Sequence, residues 1–333
     1  MKKQIFNTLK FSIFLGLGIF LVYWSIQQIP DSEYIEFKKS LTTAKYWMII
    51  PVFLILSASH VIRALRWKLL MEPMGYKPTL ANTFFAVMIG YLANFALPRL
   101  GEILKCTILS KYENVPVEKN VGTIVAERAF DVICLLLVFV LALFLQYDVV
   151  IAGYEKMLEY SSSMKSDGSN TGFYIKSIFF TFLVVTLIWL TVTKKWQVFI
   201  SKLKTIFKGI AEGLLSALKL KKKWLFIIYS ILIWMLYIAG TWIGLYATNG
   251  TGVGFSAAVS CLAFASIGMI LTPGGIGAYA FLIAKVLEIN NVPYALGFAN
   301  GTLQWFAQFA IILIVGFACV IILPIYNKKK NLL

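Results

Sequence analysis

Two apolar segments of this 333-residue chain are interrupted at their centres, at Leu97-Pro98-Arg99-Leu100-Gly101-Glu102 and at Thr272-Pro273-Gly274-Gly275-Ile276-Gly277. Hydrocarbon offers backbone amides no partner, so a break at membrane depth survives only where protein buries it or a wet cavity meets it. Two such breaks in matching positions of two halves are the sequence signature of a transporter's substrate site.

Membrane depth presupposes a membrane chain, and the composition is that of one. Hydrophobic residues make up 59% of the sequence and the mean hydropathy is +0.80, whereas soluble domains are about half apolar. The predicted fold class is an all-α polytopic membrane protein. The net charge of +16 does not indicate a nucleic-acid partner, because the bases lie in loops between apolar spans. Phe11 to Ile29 follows Lys2, Lys3 and Lys10 as a signal peptide would. It is too long for one and has no small-residue cleavage site, so it is predicted to be the first transmembrane helix. Cys106, Cys134, Cys261 and Cys319 show no metal or redox spacing and read as free thiols. With His60 the only histidine, a multi-histidine metal site is excluded, and no cofactor is called for.

Windows of about 20 apolar residues predict six full spans, near 11 to 29, 46 to 65, 121 to 147, 173 to 193, 224 to 248 and 296 to 323. In each broken segment the stretch before the proline (Asn82 to Leu97; Phe255 to Leu271) and the one after it (Ile103 to Ser110; Ala278 to Leu287) are short for a crossing. Each therefore reads as a re-entrant hairpin. A second arrangement stays open, in which both broken segments cross fully and eight helices result.

Lysine and arginine mark the cytoplasmic side. They place inside the N-terminus, the end of the second span (Arg63, Arg66, Lys68), the loop from Lys194 to Lys223, and the C-terminus with Lys328 to Lys330. Pro30 to Lys45 and Tyr147 to Gly172 mix charges and read as outer loops. One topology satisfies all of these. Residues 1–150 and 151–333 each contain span, span, hairpin, span in opposite orientation, the inverted repeat of many secondary transporters. Within the loop, Phe199, Leu203, Ile206, Phe207, Ile210 and Leu214 are spaced among lysines. That spacing predicts an amphipathic helix on an anionic leaflet.

Charges inside the spans need a reason. Arg99, Glu102 and Lys105 follow the first break, and Glu127, Arg128 and Asp131 lie in the next span. Each costs on the order of 3 kcal/mol at the bilayer centre unless paired or wetted. Two readings are open. In one, Arg99 and Arg128 neutralise Glu102, Glu127 and Asp131 and hold the repeat together. In the other, the two guanidinium forks hold an anionic headgroup. Glu102, Glu127 or Asp131 then meets its cationic or hydroxyl part, or takes a proton. Gly274, Gly275 and Gly277 permit close backbone approach and positive φ, and a helix starting near Ala278 presents amides to an anion. Ser57, His60, Arg63 and Arg66 share a face of the second span. Arg66 and Lys68 read as snorkelling to the interface, with Arg63 in reach of a headgroup. Asn94 is placed to cap the backbone opened by Pro98.

Arg63-Ala64-Leu65-Arg66-Trp67, Asn94-x-x-Leu97-Pro98-Arg99-Leu100-Gly101-Glu102, Glu127-Arg128-x-x-Asp131 and Thr272-Pro273-Gly274-Gly275-Ile276-Gly277 resemble, in order and spacing, the lysylphosphatidylglycerol synthase transmembrane region, or flippase-like domain family. The resemblance covers nearly the whole chain. It implies a bacterial or archaeal plasma-membrane protein. Members joined to a soluble aminoacyl-transferase domain move aminoacylated phosphatidylglycerol between leaflets, and others are linked to polyprenyl-linked or other lipids. Only a short tail follows the last span here, so lipid aminoacylation is not expected. The family often carries an acid three residues after the last glycine of its Pro-Gly-Gly motif, where this chain has Ala280.

The expected function is lipid transport, with a headgroup, expected to be anionic and phosphate-containing, passing between the hairpin tips while its tails stay in the bilayer. The alternatives are a membrane-embedded lipid transferase, for which no nucleophile set or metal motif is visible, and a small-solute or ion carrier of the same architecture.

Overall fold

The helices begin and end where the sequence supplies the chemistry for it. The computed structural model describes residues 2–96, 100–149, 151 and 220–330, and no strand occurs among them. Pro98 and Arg99 lie outside the described residues, as do the span near 173 to 193 and nearly all of the Lys194 to Lys223 segment. The elements are α1 (Lys2–Gln27), α2 (Asp31–Thr42), α3 (Ile49–Met71), α4 (Leu80–Ala96), α5 (Leu100–Glu113), α6 (Val117–Leu145), α7 (Lys223–Leu245), α8 (Phe255–Leu271), α9 (Ala278–Ile289) and α10 (Tyr294–Lys330). The segment Pro30 to Lys45, expected as a loop, is largely the helix α2. Pro30 precedes it and Asp31 and Glu33 occupy its first turn, where carboxylates favour the positive end of the helix dipole.

Four described stretches are long and apolar enough to cross a bilayer: Tyr46–Met74, Val117–Leu145, Lys223–Leu245 and Tyr294–Lys328. Their outward faces are greasy. Leu136, Val140 and Phe144 on α6, Ile228 and Ile231 on α7, and Ile314, Phe317 and Ile321 on α10 are all exposed, an arrangement that only a lipid solvent makes favourable.

The broken segments fold back on themselves. The limbs α4 and α5 pack together, as do α8 and α9. The 17 residues of α4 and α8 span about 26 Å and the 14 and 12 of α5 and α9 about 21 and 18 Å, all short of the roughly 30 Å hydrocarbon core. Glycine allows the first fold-back. A Cβ on Gly101 would collide with the Gly90 carbonyl, and one on Gly90 would lie 2.6 Å from Cγ of Lys105. Asn94 Oδ1 accepts the Gly101 amide at 2.9 Å and so caps backbone opened by the break, as expected. In the second hairpin a Cβ on Gly268 would lie 2.8 Å from the Tyr279 amide nitrogen. Its tip turns through Gly274, Gly275 and Gly277, with φ of 63°, 76° and 73°.

The packing repeats. Exchanging α3, α4, α5 and α6 for α7, α8, α9 and α10 turns the packed pairs α3·α4, α5·α6 and α4·α10 into α7·α8, α9·α10 and α8·α6, all of which occur. Helices α3 and α7 pack directly on each other, and each has 23 residues. Laid end to end, Arg63 falls on Tyr237, Arg66 on Gly240 and Leu56 on Ser230. Arg66 bonds Ser230 and Gly240 packs on Leu56, so one contact becomes the other on exchange. Arg63 bonds Tyr237, its own counterpart. That is a self-complementary seam, as across a two-fold axis. Turn chemistry repeats as well: Asn114-Val115-Pro116 links α5 to α6 and Asn291-Val292-Pro293 links α9 to α10. Both asparagines take positive φ, 55° and 61°, both valines are buried, and proline starts the next helix.

Candidate functional site

The intramembrane charges form one buried network and one half-exposed pair. On α6, Asp131 accepts Arg63 Nη1 at Oδ2 and Arg66 Nη2 at Oδ1, each at 2.7 Å. One turn earlier, Glu127 contacts Arg63 at 3.2 Å, Arg66 at 3.4 Å and Lys105 Nζ at 3.1 Å. Glu127 is 2% exposed and Arg66 fully buried. The stem of Lys105 runs past Gly90, and its ammonium lies 4.4 Å from the Trp67 ring centroid. The indole of Trp67 donates to Thr123 Oγ1 at 2.8 Å. Arg63 also donates to the Tyr237 hydroxyl at 3.0 Å and Arg66 to Ser230 Oγ at 3.2 Å. Helices α3, α5, α6 and α7 are thereby stitched together.

This partner set differs from the expected one. Glu127 and Asp131 are neutralised by Arg63, Arg66 and Lys105, whereas Arg128 pairs with Glu102, through Nε at 3.4 Å. Arg66 does not snorkel. It faces the carboxylates of α6, because the face it shares with Arg63 is turned into the bundle. Three cations meet two carboxylates in the buried network, leaving one formal positive charge.

A cavity of about 410 Å³ opens beside this network. Its polar wall carries Arg128, Asp131, His60 and Tyr91 from the first half, and Tyr237, Trp234, Ser266, Tyr279 and Gln308 from the second. The symmetry of the fold is visible here too. By the end-to-end pairing of α3 with α7 and α4 with α8, His60 corresponds to Trp234 and Tyr91 to Ser266. His60 and Trp234 are each 9% exposed, and neither His60 Nδ1 nor Trp234 Nε1 has a hydrogen-bond partner. An unpaired buried polar atom costs about 1–3 kcal/mol, so the wall holds hydrogen-bonding capacity that the protein itself does not use. Gln308 donates to the Tyr279 hydroxyl at 2.7 Å. Apolar side chains line the cavity as well, and two of them, Val132 and Ile270, are 42% and 73% exposed.

The second hairpin's glycines stand apart from the charges. A Cβ on Gly274 would meet the Phe95 ring at 2.5 Å, and the Gly274 carbonyl accepts Trp305 Nε1 at 2.7 Å. Phe309 stacks on Trp305, with centroids 5.4 Å apart, and meets Phe95 edge-on at 5.2 Å. Gly277 lies against α1, where a Cβ would sit 2.6 Å from the Gly18 carbonyl oxygen. The two breaks thus touch through Phe95 and Gly274, and Pro273, Gly274, Gly275 and Gly277 shape that junction. Gly101 serves the close approach of α4 and α5. Ala280, at the position of the family's usual acid, lies in an apolar cluster with Ile29, Ala284 and Phe298. All four cysteines are free thiols, and no group of three or more potential metal ligands occurs among the described residues.

Of the residues singled out in the sequence, Glu127 and Asp131 lie in the buried network and Asn94 at the first fold-back. Reasoning from the sequence missed Trp234, Tyr237, Tyr279 and Gln308, uncharged residues in apolar helices whose signal is their place in the second repeat, not their type.

Comparison with known proteins agrees with this architecture. An archaeal UPF0104 membrane protein from Methanocaldococcus jannaschii is 29% identical over 109 residues, which is 32% of this chain and 30% of that protein. No solved structure matches the chain. Residues 9–316 match the family described as the lysylphosphatidylglycerol synthase TM region, and the chain belongs to that family.

Proposed function

We propose that this chain carries a lipid headgroup, anionic and phosphate-containing, between the two leaflets of a bacterial or archaeal cytoplasmic membrane, and that it transports the lipid without modifying it. The observation that carries this reading is the amphipathic form of the cavity. Its lining offers Arg128 beside a network with excess positive charge, together with outward-exposed apolar side chains, Val132 and Ile270. A headgroup can enter such a site while its tails remain in hydrocarbon, whereas a free solute gains nothing from the apolar lining. Arg128 has a planar fork suited to phosphate, and Arg99, in the first break, is proposed as its companion.

Residues 1–150 and 151–333 act as inverted repeats in this scheme and alternate access by rocking about the self-complementary seam of α3 and α7. Both termini lie in the cytoplasm by the bias of their lysines, and the Lys194 to Lys223 segment rests on the anionic leaflet.

The test is translocation of a fluorescent phospholipid in proteoliposomes. Arg128→Ala is expected to slow it about tenfold or more, the worth of a charged hydrogen bond of roughly 1.5–3 kcal/mol. A folded Arg128→Ala protein that moves lipid at the wild-type rate refutes the headgroup site.

A further inference from the structure

Resting on that reading of the cavity, we infer that the headgroup it accepts is a phosphate bearing uncharged hydroxyls, as in a phosphoglycerol or a sugar phosphate, and that a cationic amine is rejected. Recognition of an ammonium needs an available carboxylate. Asp131 is the one carboxylate among the described lining residues, and a guanidinium holds each of its oxygens at 2.7 Å. Glu127 is engaged by Arg63, Arg66 and Lys105, and Glu102, which is not among the lining residues, is paired with Arg128. An arriving amine would meet Arg128 and the surplus positive charge of the network, and like charges at close quarters exclude a wrong ligand.

The wall from the second half supplies the opposite chemistry. Trp234, Tyr237, Ser266, Tyr279 and Gln308 are all uncharged. Tyr279 accepts from Gln308 and keeps its own proton to donate. Trp234 lines the cavity, and its Nε1 is a buried donor without a partner, which a small turn of the ring would offer to a hydroxyl oxygen. Sharing one cavity with Arg128, these side chains read hydroxyls while the arginine holds phosphate. The two halves have diverged at one symmetric cavity, one toward charge and the other toward neutral hydrogen bonding.

The experiment compares fluorescent phosphatidylglycerol, its lysyl ester and phosphatidic acid in proteoliposomes of the full chain that also enclose radiolabelled glycerol 3-phosphate. Phosphatidylglycerol is expected to cross about tenfold faster than the lysyl ester, a difference of about 1.4 kcal/mol, and glycerol 3-phosphate to stay inside. Equal or faster movement of the lysyl ester overturns the inference and leaves the lipid reading standing. Release of glycerol 3-phosphate without lipid movement keeps the headgroup chemistry and overturns the lipid reading, and no movement of any probe overturns both. Trp234→Phe, which keeps the ring's bulk, is expected to lower the phosphatidylglycerol-to-phosphatidic acid rate ratio about fivefold, as loss of one hydrogen bond does. Gln308→Leu is expected to act in the same direction. Unchanged ratios in both folded variants overturn the role of the neutral wall.

Discussion

Glu127 is the residue on which the buried network turns, and Glu127→Gln is its sharpest perturbation. The carboxylate contacts three cations, Lys105 at 3.1 Å, Arg63 at 3.2 Å and Arg66 at 3.4 Å. The amide keeps the shape and removes the charge, so three buried cations are left with Asp131 alone. Breaking a buried pair by neutralising one partner costs about 3–5 kcal/mol. Lys105 suffers most, because Glu127 is its one carboxylate partner among the described residues, whereas both arginines retain Asp131. Adding Lys105→Met to Glu127→Gln removes the orphaned charge and restores the balance of two cations with one carboxylate plus the neutral Gln. The double variant should therefore recover part of the loss, with a coupling of about 1–3 kcal/mol. Reversible unfolding of the four members of this cycle in detergent or bicelles measures it. Additive single effects, or a Glu127→Gln protein as stable as wild type, would show that the network does not hold α3, α5 and α6 together.

Gly101→Ala places a methyl on the Gly90 carbonyl and is expected to destabilise the first hairpin by about 1–3 kcal/mol, read as a lower melting temperature and as poor yield of monodisperse protein. Gly274→Ala meets both the Phe95 ring at 2.5 Å and a φ of 63°. A left-handed alanine alone costs about 1–2 kcal/mol, and the fluorescence of Trp305, which donates to the Gly274 carbonyl, should shift with the displaced tip. Asn114→Val and Asn291→Val force a β-branched residue into positive φ at matching turns. Similar losses of roughly 1–2 kcal/mol in both are expected in the same unfolding assay, and a large effect at only one site contradicts structural equivalence of the turns.

Much of the membrane architecture could be read from the sequence, because hydropathy is a local property. The limb Phe255 to Leu271 has the ends expected of it, the spans agree with α3, α6, α7 and α10 to within several residues, and the two breaks become hairpins with backbone that glycine alone tolerates. The partners of the charges were less legible. Arg66 sits near a basic interface signal and reads as snorkelling, yet the contact that decides its place comes from α6, some sixty residues away, and no local pattern encodes it. The helix α2 was hidden by its mixed charges, although Pro30 and the acids of its first turn marked a start. The paired Asn-Val-Pro turns are plain in the letters, but they lie in short loops that a hydropathy reading passes over. The neutral half of the cavity was illegible for a physical reason. Trp, Tyr and Gln in apolar helices are ordinary until the fold brings them into one cavity with Arg128.

Lipid transport by this chain requires a headgroup in the cavity that Arg128 and Trp234 line. A cryo-electron microscopy structure of the protein in nanodiscs containing phosphatidylglycerol tests this most directly. The expected result is lipid density with its phosphate within about 3.5 Å of the Arg128 guanidinium and its tails leaving between Val132 and Ile270. A cavity holding only water, with lipid density confined to the outer apolar faces, would contradict it.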